Sequence, residues 1–147
     1  MTCVFIGDSL AVGMAQHRPM CVNQAVVGRT TSQTVAHVRQ VPANSQQVII
    51  SVGSNDRLDR STPLRVWIDK FSSLRTAVRA QIVVWILPNT SDLAREAIAI
   101  VAREHGDCVL DSHPTVGADG VHPTAAGYRN LARASENIQK SNSCAAK

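Results

Sequence analysis

The chain has 147 residues, 44% of them apolar, and a formal net charge of +4 at pH 7 from 15 Lys and Arg against 11 Asp and Glu. That length suits one domain with a single core, and no run approaches the roughly 18 apolar residues of a membrane span. Two Trp, two Phe and one Tyr are too few for base-stacking platforms, and Arg75, Arg79, Arg95, Arg103 and Arg129 fall singly, so no nucleic-acid partner is expected and the basic excess reads as solvated surface.

In chain order, Thr2 to Ile6 is a short β-branched apolar stretch of strand type, broken by Gly7 before a helical pattern from Leu10 to His17. Met20 to Val27 reads as a second strand that enters Gly28-Arg29-Thr30-Thr31. Ser32 to Val41 is helix-compatible and leads through Pro42 to the strand Gln47 to Val52, which ends at Gly53-Ser54-Asn55-Asp56. Ser61-Thr62-Pro63 starts a helix, with Leu64, Trp67, Ile68, Phe71, Leu74 and Val78 forming one apolar face. Ile82 to Leu87 is a continuous apolar strand of the doubly covered parallel kind, stopped by Pro88. Ser91 to His105 is the next helix, with Gly106 as its stop; Val109 to Asp111 is the last strand and Pro123 to Gln139 the last helix. Five strands separated by helices predict a three-layer α/β/α sandwich with a mainly parallel sheet. It forms one domain over residues 1–140, with 141–147 as a flexible tail.

This layout places Ser9, Gly28, Asn55 and the segment Asp119 to His122 after the carboxyl ends of strands, where ligands bind in open α/β sheets. Ser9 falls on a strand-to-helix turn, beside the unpaired and positively polarised N–H groups of the helix start. Each motif also has a plain structural reading. Asp8 or Ser9 can simply N-cap the helix, and Asp119-Gly120 is a common turn dipeptide.

Taken together, Gly7-Asp8-Ser9-Leu10, Gly28 with Thr30, Gly53-Ser54-Asn55-Asp56 and Asp119-Gly120-Val121-His122-Pro123 resemble the four blocks of the SGNH hydrolases, the GDSL esterase and lipase family. The resemblance runs over nearly the whole chain and implies a flavodoxin-like five-stranded sheet and a serine esterase. It implies Ser9 as nucleophile, His122 as base and then acid, and Asp119 as the residue that orients the imidazole. It further implies an oxyanion hole built from the backbone N–H groups of Ser9 and Gly28 and the side-chain amide of Asn55. An acyltransferase, lysophospholipase or thioesterase would use the same residues, and a non-catalytic binding domain could keep the fold. A nucleotide or flavin module is disfavoured, because neither G-x-G-x-x-G nor a P-loop follows the first strand.

No cofactor is expected, and without Cys-x-x-Cys or His-x-x-x-His spacing no metal either. Asp8, Arg29 and Arg57 are candidates for the substrate rim, where the arginines would attract an anionic ester; the alternative is surface arginines held by Asp56, Asp59 or solvent. His17, His37 and His105 lie on or near helix ends and are expected to stand apart from the site, whereas His113 is a candidate support for the catalytic loop. No long insertion builds a lid or tunnel, so the expected substrate is a short acyl ester of a small molecule or glycan in a shallow cleft. Four cysteines allow three complete pairings or free thiols; strand adjacency favours Cys3 with Cys21 and Cys108 with Cys144, without deciding. No signal peptide is recognisable, so a soluble cytoplasmic monomer is expected unless a leader was removed or export follows another route.

Overall fold

A computed structural model describes residues 2–58 and 61–146. The strands are β1 (Cys3–Gly7), β2 (Val22–Asn23), β3 (Ser45–Ser51), β4 (Ala80–Leu87) and β5 (Cys108–Asp111). The helices are α1 (Ser9–Ala15), α2 (Thr31–His37), α3 (Leu64–Ala77), α4 (Asp92–His105) and α5 (Ala125–Ser141). All strand pairs are parallel and the sheet order is β2-β1-β3-β4-β5. This is the flavodoxin-like order, with helices on both faces of the sheet.

Period-2 alternation along the strands divides the core between the two faces. On one face Val48, Ile50 and Trp85 pack against Trp67, Phe71 and Leu74 of α3 and Ile98 and Val101 of α4. On the other, Phe5, Ile49 and Val84 meet Leu10 and Met14 of α1 and Leu131 and Ile138 of α5. Burial on both faces is why the central strands read as unbroken apolar runs. Helix ends follow local chemistry. Ser91 accepts from the N–H of Ala94 at the start of α4, and Gly106 closes it with φ +69°.

Two elements are shorter than expected. The strand foreseen over Met20 to Val27 is in regular register with β1 only at Val22 and Asn23, although the N–H groups of Gln24 and Val26 still donate to the carbonyls of Phe5 (2.8 Å) and Gly7 (2.9 Å). At this sheet edge the Asn23 side chain accepts from the N–H of Ala25, and Met20 is 92% and Val27 70% exposed. Apolar composition there does not distinguish an edge from a buried strand: Ala25 is buried while Met20 and Val27 are exposed. The helix foreseen over Ser32 to Val41 is α2, opened by a reciprocal Thr30 and Gln33 capping box, followed by a tighter turn at 38–40. Pro42 forces Val41 into extended backbone and ends it there.

Disulfides join Cys3 to Cys21 and Cys108 to Cys144. They sit where the strands begin, at the edge away from Ser9, and the second ties the 144–146 turn to β5. Among the described residues no helix is long and apolar enough to cross a membrane.

Candidate active site

The turn carrying Ser9 is held by its neighbours in sequence. Gly7 has φ +113°, and a Cβ there would lie 1.8 Å from the carbonyl oxygen of Ser51, so glycine is what lets β1 and β3 remain paired to their carboxyl ends. Asp8 then caps α1: one carboxylate oxygen accepts from the Leu10 N–H (3.2 Å) and the Ser51 hydroxyl (2.7 Å). Its other oxygen has no partner among the described residues. Asp8 is fully buried, so it is no rim residue; it supports the turn from beneath. Burial pushes its carboxyl up from 3.8 to about 6, against the opposing pull of the Ser51 hydroxyl bond.

This shift has a sign. The folded state holds the Asp8 proton longer than the unfolded chain does, so the Asp8 contribution to stability falls as pH rises from 3.8 through about 6. Thermal denaturation across that window is expected to show the fall, and Asp8→Asn to flatten it. An unchanged slope in Asp8→Asn would assign the pH dependence to other groups.

The second arm of the site is the loop between β5 and α5. Gly120, with φ +68°, turns the chain, and Gly117 N–H donates to the carbonyl of His122 (2.8 Å) to close the loop on itself. One oxygen of Asp119 accepts the backbone N–H groups of Val121 (2.9 Å) and His122 (2.8 Å), and the other meets Nδ1 of His122 at 2.7 Å. The imidazole Nε2 lies 3.0 Å from Oγ of Ser9. The His122 contact, with the two backbone N–H groups, holds the Asp119 carboxyl down at about 2. An ionised carboxylate at Nδ1 keeps the proton there, which leaves Nε2 as the acceptor facing the Ser9 hydroxyl. His122 and Asp119 side chains are both about half exposed, so the site is open to solvent.

Gly28 and Asn55 line one shared pocket of about 570 Å³ together with Arg57. Gly28 has φ +81°, and nothing lies within 4 Å of where a Cβ would stand. The Asn55 side-chain amide donates one N–H to the carbonyl of Arg29 (3.2 Å), and its second N–H has no described partner. Asp56 accepts from the N–H of Thr31 (2.8 Å) and faces Lys70 (3.8 Å), pinning the loop after β3 to the start of α2. Arg29 donates back to the carbonyl of Gln24 (2.8 Å) and is half-buried, whereas Arg57 is exposed. Asp59 lies outside the described residues. If Asn55 donates to an oxyanion, Asn55→Ala lowers kcat by ~10²–10³ with the melting temperature little changed, as steady-state kinetics and thermal denaturation would show.

Three contributors escaped the sequence reading. Asn89, just past β4, donates to the carbonyl of Gly120 (2.5 Å) and its side-chain oxygen meets Nδ1 of His113 at 2.7 Å. His113 is thus two hydrogen bonds from the Asp119 to His122 loop. An asparagine after a strand's carboxyl end was the available signal, masked by reading Pro88 only as a stop. Ser51 holds Asp8, as described. Tyr128 packs its ring against Gly13, where a Cβ would come within 2.3 Å of it, one turn along α1 from Ser9. Burial, with Asp8 and Asp119 nearby, raises its phenol above the usual value. A larger cavity of about 940 Å³, lined by Trp67, Asn89, Arg95 and His113 among others, flanks the loop without including Ser9 or His122. His17, His37 and His105 are exposed and near helix ends, away from these contacts.

No protein-family model matches the chain, and no curated protein sequence matches it. Solved structures do resemble it. A GDSL-like lipase from Bacteroides thetaiotaomicron superposes with TM-score 0.70 at 17% identity, over 96% of this chain and 88% of the other. A carbohydrate acetylesterase from Sinorhizobium meliloti gives 0.68 at 15% identity, over 96% and 97%. The catalytic domain of peptidoglycan O-acetyltransferase A from Streptococcus pneumoniae gives 0.63 at 19% identity, over 96% and 94%. The chain therefore has the three-layer α/β/α fold shared by GDSL-like lipases, carbohydrate acetylesterases and a peptidoglycan O-acetyltransferase.

Proposed function

We propose that the chain is a serine hydrolase of the SGNH type that cleaves a short acyl group, such as acetyl, from an ester of a small molecule or glycan. The observation that carries this reading is the continuous chain from Ser9 Oγ through His122 Nε2 (3.0 Å) and Nδ1 to Asp119 (2.7 Å). Four sequence motifs in family order and the likeness to esterase folds support it.

In the first half-reaction His122 Nε2 takes the Ser9 proton as Oγ bonds to the ester carbonyl carbon. The carbonyl oxygen becomes an oxyanion, met by the N–H groups of Ser9 and Gly28 and the second N–H of Asn55. Collapse breaks the bond to the alcohol, which leaves with the proton from His122. Water then repeats the sequence on the acyl-enzyme: His122 removes its proton, and the acid is released as Ser9 regains its hydrogen. Asp119 keeps the imidazole oriented and stabilises the imidazolium in both halves.

The half-exposed His122 and Asp119 favour an open cleft over a deep acyl tunnel. A panel of p-nitrophenyl esters from two to sixteen acyl carbons is expected to give the highest kcat/KM at two to four. A preference for twelve or more would refute the short-acyl assignment while leaving the triad intact. The likeness to an O-acetyltransferase supports a second reading, transfer to an acceptor alcohol. Product analysis with glycan acceptors present separates the two, since transfer leaves the acyl group on the acceptor and hydrolysis releases the free acid. Two disulfides support residence in an oxidising compartment over the cytoplasm.

A further inference from the structure

We propose that a pocket at the opposite edge of the sheet, between the end of α1 and α5, binds a tetrahedral oxyanion, the phosphate or sulfate group of an anionic ligand. Arg18 is its centre. Only 6% exposed, it donates from Nη1 to Oε1 of Gln47 (2.6 Å) and Oγ of Ser135 (3.0 Å), and from Nη2 to Oε1 of Gln139. Its guanidinium also stacks 5.9 Å from the Phe5 ring centroid. All three hydrogen-bond acceptors are neutral, and among the described residues no carboxylate comes within ion-pair distance of Arg18.

A buried charge ordinarily has a counter-ion, because desolvation is costly without one. Here burial works against the charge, and only the coulombic pull of Glu136, which is not within ion-pair distance, opposes it. Guanidinium carries five N–H donors, and these contacts use three; Nε–H has no described partner.

The pocket beside Arg18 has a volume of about 210 Å³ and is lined by His17, Arg129, Arg133 and Glu136 as well. Arg129 and Arg133 stand four residues apart on α5, where like charges repel, and neither makes a described ion pair or side-chain hydrogen bond. The one carboxylate, Glu136, is already engaged by Lys140 at 3.2 Å. Three arginines and a histidine therefore line a space with one carboxylate among them. Planar forks of N–H donors match oxyanions better than any other ligand class.

Gln47 lies four residues before Ser51 along β3, roughly 13 Å of strand, so this pocket is separate from the Ser9 edge and independent of the proposed chemistry there. Its occupant would be anchored and not turned over. Sequence dispersion hid the cluster, since Arg18 and the α5 arginines are more than a hundred residues apart.

The test is binding of inorganic phosphate, followed by calorimetry and thermal denaturation at constant ionic strength set with sodium chloride. Phosphate at ten times its Kd is expected to raise the melting temperature by about 3 °C or more, and to shift the Arg18 Nε–H resonance. Arg129→Gln with Arg133→Gln, both exposed, is expected to weaken phosphate binding at least tenfold with ester hydrolysis unchanged. Polyphosphate or dextran sulfate binding more tightly than inorganic phosphate would identify a polymer-borne group, and equal affinity per site a free anion. An equal rise in chloride alone, or undiminished phosphate binding by the double variant, would overturn the site. So would a phosphate response confined to residues around Ser9.

Discussion

Ser9→Ala is expected to lower kcat for ester hydrolysis by about 10⁶, leaving a residual rate near that of binding and oxyanion stabilisation alone. The reason is that Oγ is the atom that forms the acyl-enzyme, and alanine has nothing in its place. The loss is interpretable because the substitution is structurally mild. Ser9 is the first residue of α1, but the capping bond comes from Asp8, and the one described side-chain hydrogen bond of Ser9 is with His122. Alanine is also a good helix former. Melting temperature is therefore expected to stay within a few degrees of the wild type. His122→Ala should be nearly as inactive, and Ser9→Ala with His122→Ala hardly worse than either alone, because residues acting as one unit do not add. A Ser9→Ala protein with a tenth of wild-type activity would place the nucleophile elsewhere.

Asp119→Asn is expected to cost about 10⁴ in kcat. Asparagine can still accept the backbone N–H groups of Val121 and His122 through its oxygen, so the loop keeps its shape. Its amide nitrogen would then face Nδ1 and donate to it. That moves the imidazole proton to Nε2, the atom that must accept from Ser9. The defect is one of proton placement, and kcat should fall far more than KM rises. Asp119 also sets an expectation for pH. With its carboxyl held at about 2, it stays ionised through any working range, so the acid limb of kcat/KM does not belong to it. Its contribution to stability is complete above 3.8 and is lost as pH falls through about 2. A wild-type acid limb that disappears in Asp119→Asn would contradict this assignment.

What could be read from the chain depended on how local the cause was. The central strands were legible because burial on both faces leaves continuous apolar runs, and α3 because Trp67, Phe71 and Leu74 repeat on one face. Caps such as Ser91 and Gly106 announce themselves through chemistry confined to a few residues. The Asp119 to His122 pairing was equally local. β2 was overestimated because apolar residues at 20–27 carry no mark of lying at an edge.

Asp8 shows the limit most clearly. Adjacent to Ser9 in sequence, it was placed on the substrate rim, but the orientation that buries it comes from Ser51 on a neighbouring strand. Asn89, Tyr128 and Arg18 were missed for the same reason. Each acquires its place from residues 24 to 121 positions away, brought close only by the fold. Ser9, His122 and Asp119, which the fold brings within hydrogen-bond distance, were thus named from the chain, and the neighbours that hold them were not.

The central claim is that Ser9 is a nucleophile activated by His122. Labelling with a fluorophosphonate and mapping the modified peptide tests it most directly. One adduct per chain on Ser9 is expected, absent from Ser9→Ala and greatly slowed in His122→Ala. An adduct on any other residue, or undiminished labelling of Ser9→Ala, would contradict it.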